Sequence, residues 1–373
     1  MAAFPLRREH FEIAIICVLK IEGDAVEALL TETFSGLGKA EHDENFYTTG
    51  ILGGKPIVLV APRGMGTLNA ANAARDMRQS FTRIKLALVT GVAGGATSTP
   101  EGDEILLGDV LISTQILQSD FGRNYADVVK IKDGLADTLG RPRQELANFL
   151  NHLQRSKCVQ VLTKRINEYI TEDCLVDVPY PGHGNDHLFP SDYPHRHRGD
   201  HLACICEVCT SAGDPVCDEA QDSKCDALHC DIGTCVRRRR IQDCQEPVDI
   251  RSGLSQQQIL RRQNANPVSG PALPAQIHFG IIASSSQVLK NSKLRDELVT
   301  TRNVIGFEME GAGCWDTFPT IVVKSVCDYA DSHKNKQWQS YASAMAACCA
   351  RGIVEEWQTS QTMTNSSRSG RPF

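Results

Sequence analysis

The sequence predicts an α/β fold, a single domain over residues 10–357 with a central mixed sheet flanked by helices. Three observations predict it. Apolar, β-branched runs alternate with Ala-rich stretches of helical spacing through the first half and again from Ile277 onward. Apolar residues make up 41% of the 373, enough for a sizeable core. The alternation breaks between Val176 and about Pro274, which places a Cys/His/Arg-rich insertion at 177–274 within the domain. A Ser/Thr/Arg/Gly-rich tail at 358–373 is expected to be disordered.

The elements follow in order. Phe11–Leu19 reads as a buried first strand, and Glu22–Phe34 as a helix carrying Ala25, Val26, Leu29 and Leu30 at helical spacing. Phe46–Leu52 and Pro56–Ala61 form a hairpin across Gly53–Gly54. Leu68–Ser80 is helical, Lys85–Thr90 is a strand ending at Gly91, Leu106–Ile112 is a short strand, and Arg141–Leu162 is one helix. Ile277–Ser284, Val304–Met309 and Thr320–Val326 are strands. A helix opens near Glu310, and a long one spans Trp338–Trp357. Such alternation argues for a largely parallel sheet.

Charge and hydropathy exclude several classes. A net charge of −6 gives no reason to expect nucleic acid as a partner. No apolar run reaches the ~20 residues of a membrane span. Arg7 and Arg8 before Ile13–Leu19 imitate a signal peptide, but Lys20 and Glu22 stand where a small-residue cleavage site would be. The expected location is the cytoplasm.

In open α/β sheets, ligands bind beyond the carboxyl ends of strands, and four such ends carry suggestive residues. Glu22 follows the first strand; it reads as a candidate base or as an acid favoured by a helix N-terminus. Gly91 and Val92 belong to Thr90-Gly91-Val92-Ala93-Gly94-Gly95, where backbone can approach a ligand, though a plain tight turn fits equally. Glu308 and Glu310 flank Met309; residues two apart on a strand share a face, so both carboxylates could reach one site and accept ribose hydroxyls. Asp328 ends the apolar run Val322–Cys327, a position where a carboxyl group can act as an acid.

Together these segments resemble the nucleoside phosphorylase and purine nucleosidase superfamily, in the fungal-type form that often heads larger immune-receptor-like proteins. The resemblance runs from about Phe11 to Trp357. It is most specific at Gly280–Ser284, at Phe307-Glu308-Met309-Glu310, and at Cys327-Asp328-Tyr329-Ala330-Asp331-Ser332-His333-Lys334-Asn335-Lys336. It implies a phosphorylase/nucleosidase-like domain and specific roles. Asp328 matches the acid at purine N7. Glu310 matches the carboxylate on the ribose hydroxyls, and Met309 the residue packed on the sugar. Val288 and Leu289 match the segment lining the base, and Glu22 the residue that activates water. It also implies no cofactor for catalysis, and a homo-oligomer, dimer or hexamer.

Hydrolysis is expected over phosphorolysis. Val89 and Val92 stand where the phosphorylase pattern places oxyanion-binding residues, and Glu22 would repel phosphate. The resemblance extends to members that look like ATP nucleosidases and so implies ATP as substrate, cleaved to adenine and ribose 5′-triphosphate; Arg63, Lys324, Lys334, Lys336 and the run Arg237–Arg240 are the available cations. The run also fits a solvated basic patch. Adenosine or another purine nucleoside is the other substrate. Phosphorolysis and a non-catalytic nucleotide-sensing module are the rival functions.

Fifteen cysteines are present, eight of them between Cys204 and Cys244. Cys206-x-x-Cys209, Cys230 and Cys235, with His195, His197, His201 and His229 nearby, suggest a structural zinc, with disulfides or free thiols as alternatives. The remaining seven read as small core residues or free thiols.

Overall fold

The computed structural model describes residues 7–359 except 127–128, 133, 135, 176, 199–203 and 246–272. His201, the predicted tail from residue 360 onward and the last part of the insertion therefore lie outside the described residues, as does the side chain of Cys244.

Eleven strands are described: β1 Ile13–Ile16, β2 Glu32–Phe34, β3 Tyr47–Leu52, β4 Lys55–Val60, β5 Leu86–Gly95, β6 Val110–Gln118, β7 Gly122–Asn124, β8 Val129–Ile131, β9 Ile277–Ser284, β10 Val304–Glu308 and β11 Thr320–Asp328. Among the described residues, nine form one sheet in the order β10-β9-β6-β11-β5-β1-β4-β3-β2. The sheet is mixed, as expected. β1 is parallel to β4 and β5, and β5 to β11, while β3–β4 and β6–β11 are antiparallel.

The far end of β5 also pairs antiparallel with β10, Gly94 with Phe307 and Gly95 with Gly306. The strands β5, β11, β6, β9 and β10 therefore close into a ring. Closure needs small residues, because a Cβ on Gly95 would lie 2.6 Å from Val326 Cγ1. The glycine cluster is thus not a tight turn after the strand: β5 runs through it to Gly95.

Helices cover both faces. Lys20–Ala28 (α1), Gln144–Leu153, Ser156–Tyr169 and Gln339–Glu356 bury one side with Ile13, Ile15, Leu86, Leu88 and Ile321. Thr67–Ser80 (α2) and Gly311–Trp315 bury the other with Ala14, Ile16, Val58, Val89 and Val322. Alternate β1 residues serve opposite faces, the period of a strand buried on both sides.

Several boundaries differ from expectation. The expected helix 141–162 is two helices: Leu146, Phe149, Leu150 and Leu153 form one apolar stripe, and Cys158, Leu162 and Ile166 a second in shifted phase across an extended Arg155. The strand expected at 106–112 begins only at Val110, because Asp109 accepts from Leu106 N and makes the preceding residues a turn. β2 lies within the stretch read as helix, where an exposed Glu32 and Thr33 pair with β3 at the sheet edge. The long-helix criterion for membrane crossing is met by no helix among the described residues.

The helix Gly311–Trp315 packs tightly on the start of α2. A Cβ on Gly313 would lie 2.0 Å from Thr67 O, a backbone atom that cannot rotate away. Gly313→Ala is expected to lower stability by ~1–3 kcal/mol through forced separation of the two helices. Denaturant unfolding should show the shift as a lower midpoint with an unchanged slope.

Candidate functional site

A cavity of about 610 Å³ opens where several strand ends converge. It is lined by Val18, Leu19 and Glu22 after β1, Val92–Gly94 within β5, Ser285, Gln287, Val288 and Leu289 after β9, Met309 and Glu310 after β10, Asp328 at the end of β11, and Ala330, Lys334 and Lys336 after it. Nine of the eleven residues expected to act in catalysis or substrate binding line it: Asp328, Glu22, Glu310, Met309, Glu308, Val288, Leu289, Val92 and Lys324.

Glu22 sits in the first turn of α1 and folds back over the end of β1. Its Oε2 accepts from Val18 N at 2.9 Å and Leu19 N at 2.8 Å, and its Oε1 accepts from Val92 N at 2.8 Å. The acid thus satisfies orphan donors at a helix start while lining the cavity. Gly91 lies behind it and does not line the cavity. A Cβ there would come within 1.9 Å of Glu22 Oε1, so the glycine makes room for the carboxylate rather than for a ligand.

Lys324, on β11, is buried between two of these acids. Its Nζ donates to Glu310 Oε2 at 3.2 Å and lies 3.8 Å from Glu22 Oε1. Burial opposes its charge, but Glu22, Glu310 and Glu308 outweigh burial and hold the ammonium well above the usual lysine range. Its charge is thus engaged by carboxylates, not held ready for a triphosphate. Glu310 Oε1 also faces Gly66 N at 3.5 Å.

Glu308 and Glu310 both reach the cavity wall, but they differ in role. The Glu308 carboxylate accepts from Glu310 N at 2.9 Å and from Gly311 N at 2.9 and 3.1 Å, which fixes the turn that presents Met309 and Glu310. Burial first, and then the neighbouring Glu310, push its carboxyl group up from the ordinary range.

Asp328 ends β11 with its side chain nearly buried. Oδ1 accepts from Ala330 N at 2.9 Å, and Oδ2 lies 3.3 Å from Lys334 Nζ. Ala330 adopts φ 53°, a left-handed conformation uncommon outside glycine, and so turns the chain sharply beside the carboxylate. Asp331 faces away, toward Arg295 at 3.6 Å, and accepts from His333 N.

The other expected cations lie elsewhere. Arg63 is exposed and is not among the cavity-lining residues. Arg238 is buried, donating to Thr97 O and Ile105 O, and Arg240 pairs with the buried Asp109. The run Arg237–Arg240 is therefore neither a phosphate clamp nor wholly a solvated patch; two of its members tie the insertion to the turn before β6. Sequence reasoning missed the wall formed by Ser119, Asp120, Gly122 and Ile131, because these residues sit in short, polar segments without periodicity.

The cysteines divide as expected between core and insertion. Cys17, Cys158, Cys314, Cys327, Cys348 and Cys349 are buried, whereas Cys174 is exposed. The expected ligand set of Cys206, Cys209, Cys230 and Cys235 is not brought together. Cys206 groups with His197, Cys204 and Cys217, and Cys230 groups with His195, Cys225 and His333. Cys209 Sγ instead faces Ser211 O, and Cys235 belongs to neither group.

Comparison with known proteins agrees with this architecture. Residues 12–165 match the family model described as the phosphorylase superfamily. A nucleotide-binding leucine-rich repeat (NLR)-like protein of Hyaloscypha variabilis is 26% identical over 354 residues, 94% of this chain; the chain spans 30% of that relative's length. Among solved structures, the 5′-methylthioadenosine/S-adenosylhomocysteine nucleosidase of Helicobacter pylori superposes with a TM-score of 0.50 at 14% identity, covering 93% of this chain and 99% of that one. The futalosine hydrolase of the same organism gives a TM-score of 0.50 at 14% identity and the same coverage. The fold is that of the nucleoside phosphorylases and nucleosidases.

Removing the Lys324 ammonium leaves two buried carboxylates without their common partner. Lys324→Met is expected to cost ~3–5 kcal/mol of folding stability, the usual penalty for breaking a buried ion pair from one side. An unchanged unfolding midpoint would show that Glu22 and Glu310 do not rely on it.

Proposed function

We propose that this chain, whose residues 12–165 match the phosphorylase superfamily model, hydrolyses the N-glycosidic bond of a purine nucleoside. The position of Glu22 carries the reading. A carboxylate held by three backbone N–H groups at the cavity floor repels a phosphate nucleophile and accepts a water. A carboxylate offers about four acceptor sites, so roughly one remains, on Oε1, to orient that water.

The remaining groups fit the reaction. Water oxygen bonds to C1′ as the C1′–N9 bond breaks, and the bonding pair leaves with the purine. Asp328 meets N7 and supplies the proton that makes the base a better leaving group. Glu310 accepts the ribose hydroxyls and places negative charge where the sugar turns cationic. Met309 packs on the sugar, and Val288 and Leu289 flank the base. The water's remaining proton is taken up toward Glu22. No step calls for a cofactor.

ATP, the substrate expected from sequence, is favoured by Lys334 and Lys336, which line the cavity. Against it, the lining holds Glu22, Asp120, Glu297, Glu308, Glu310 and Asp328, and Lys324 and Lys334 already stand beside carboxylates. Repulsion in a partly dry cavity disfavours four added negative charges. We therefore place an uncharged nucleoside first.

Adenosine and ATP incubated with the protein, with and without phosphate, test the reading by product identification. Free adenine and ribose are expected in both buffers, with adenosine turned over faster than ATP. Ribose 1-phosphate formed only with phosphate would establish phosphorolysis instead, and base binding without release would leave a sensing module. Asp328→Asn is expected to reduce turnover ~10²–10⁴-fold with the fold retained; a fully active variant removes Asp328 from the mechanism.

A further inference from the structure

We infer that the insertion carries two tetrahedral zinc sites, and that one of them clamps it to the segment that follows Asp328. The first set is His195, Cys225, Cys230 and His333, and the second His197, Cys204, Cys206 and Cys217; within each, the four candidate ligand atoms lie within 4.8 Å of one another.

The spacings are those of a metal's ligand shell. Zn–S and Zn–N bonds of ~2.3 and ~2.0 Å at tetrahedral angles put two sulfurs about 3.8 Å apart and a sulfur and a nitrogen about 3.5 Å apart. Cys206 Sγ and Cys217 Sγ are 3.8 Å apart. His197 Nδ1 lies 3.5 Å from Cys217 Sγ and 3.6 Å from Cys204 Sγ. Cys225 Sγ lies 3.5 Å from His333 Nδ1. A disulfide requires sulfurs ~2.05 Å apart, and the described cysteines are free.

The histidines are oriented as ligands. His333 Nε2 faces Tyr193 O at 3.1 Å, so a proton there is donated to the carbonyl and Nδ1 is left to the cysteines. His195 is buried, and its Nδ1 has no hydrogen-bond partner. A buried acceptor in a cluster of thiols is costly unless something fills the centre. Arg198 Nη1 lies 3.3 Å from Cys230 Sγ, where it would offset thiolate charge. His195 and His197 stand two apart, and each serves a different set. Zinc binding would release the thiol protons, leaving neutral imidazoles and thiolates as ligands.

His333 makes the first site a connector. It comes from the segment after β11, whereas its three partners come from the insertion. Five residues earlier stands Asp328, and the adjacent Lys334 reaches Asp328 Oδ2. Filling the first site fixes the peptide between the carboxylate and its lysine; emptying it frees that peptide. The effect on turnover rests on the hydrolase reading above, but the metal assignment does not.

The full-length protein purified without chelator should contain about two zinc ions per chain by elemental analysis. Cys204→Ser/Cys206→Ser and Cys225→Ser/Cys230→Ser should each lose one. Protein produced in cobalt medium should show the thiolate charge-transfer and tetrahedral d–d bands, a measurement that does not depend on the variants folding. Folded wild-type protein without metal, or intact-mass loss of two hydrogens per cysteine pair, would overturn the assignment. For the clamp, Cys225→Ser/Cys230→Ser should be cut by trypsin after Lys334 and Lys336 about tenfold faster than Cys204→Ser/Cys206→Ser, as local opening becomes easier. Equal rates in the two variants would leave the metal and sink the clamp. Zinc without nucleosidase activity counts against the proposed reaction alone, and nucleosidase activity without zinc against this inference alone.

Discussion

The site depends on one buried ammonium. Lys324 is delivered by the central strand β11 into a space shared by Glu22 and Glu310, which arrive from opposite ends of the chain. Without it, two buried carboxylates would lose the one opposite charge they share, and breaking a buried ion pair from one side costs several kcal/mol. A lysine suits the task, because a compact point charge can face two acids at different angles, whereas a planar guanidinium would commit to one fork. The same strand ends in Asp328, so the register of β11 against β5 sets the spacing between the charge that holds the acids and the group placed to meet the base.

The strand ends were legible because each follows an apolar run. Glu22, Glu310 and Asp328 stand at such ends, and the cavity gathers all three. What surrounds them was not. The partnership of Lys324 with Glu22 joins residues that no local pattern relates, so sequence offered its charge to a phosphate. The glycines of β5 read as a turn, since their need for smallness comes from Val326 on a distant strand. Arg238 and Arg240 looked alike with Arg237 and Arg239, yet burial by Thr97, Ile105 and Asp109 distinguishes them only in three dimensions.

The insertion illustrates the same limit. Its cysteine density was plain, and its partition was not, because the fourth ligand of one set, His333, lies in the run after Asp328 rather than near the cysteines. Among the described residues, the buried apolar cluster formed within the insertion is small, Cys206, Ala220 and Leu228, so cross-links would supply what packing does not.

Closure of β5 onto β10 has a consequence for how chains meet. A ring of strands presents no unpaired backbone, so the strands around the cavity cannot be extended by a neighbour's strand. Among the described residues, the main sheet is open only beyond β2, three residues long with Glu32 and Thr33 exposed. A short, charged border is a poor template for edge-to-edge growth. Among the described residues, the main sheet thus keeps its open edge brief, with Glu32 exposed on it, at the end away from the ring.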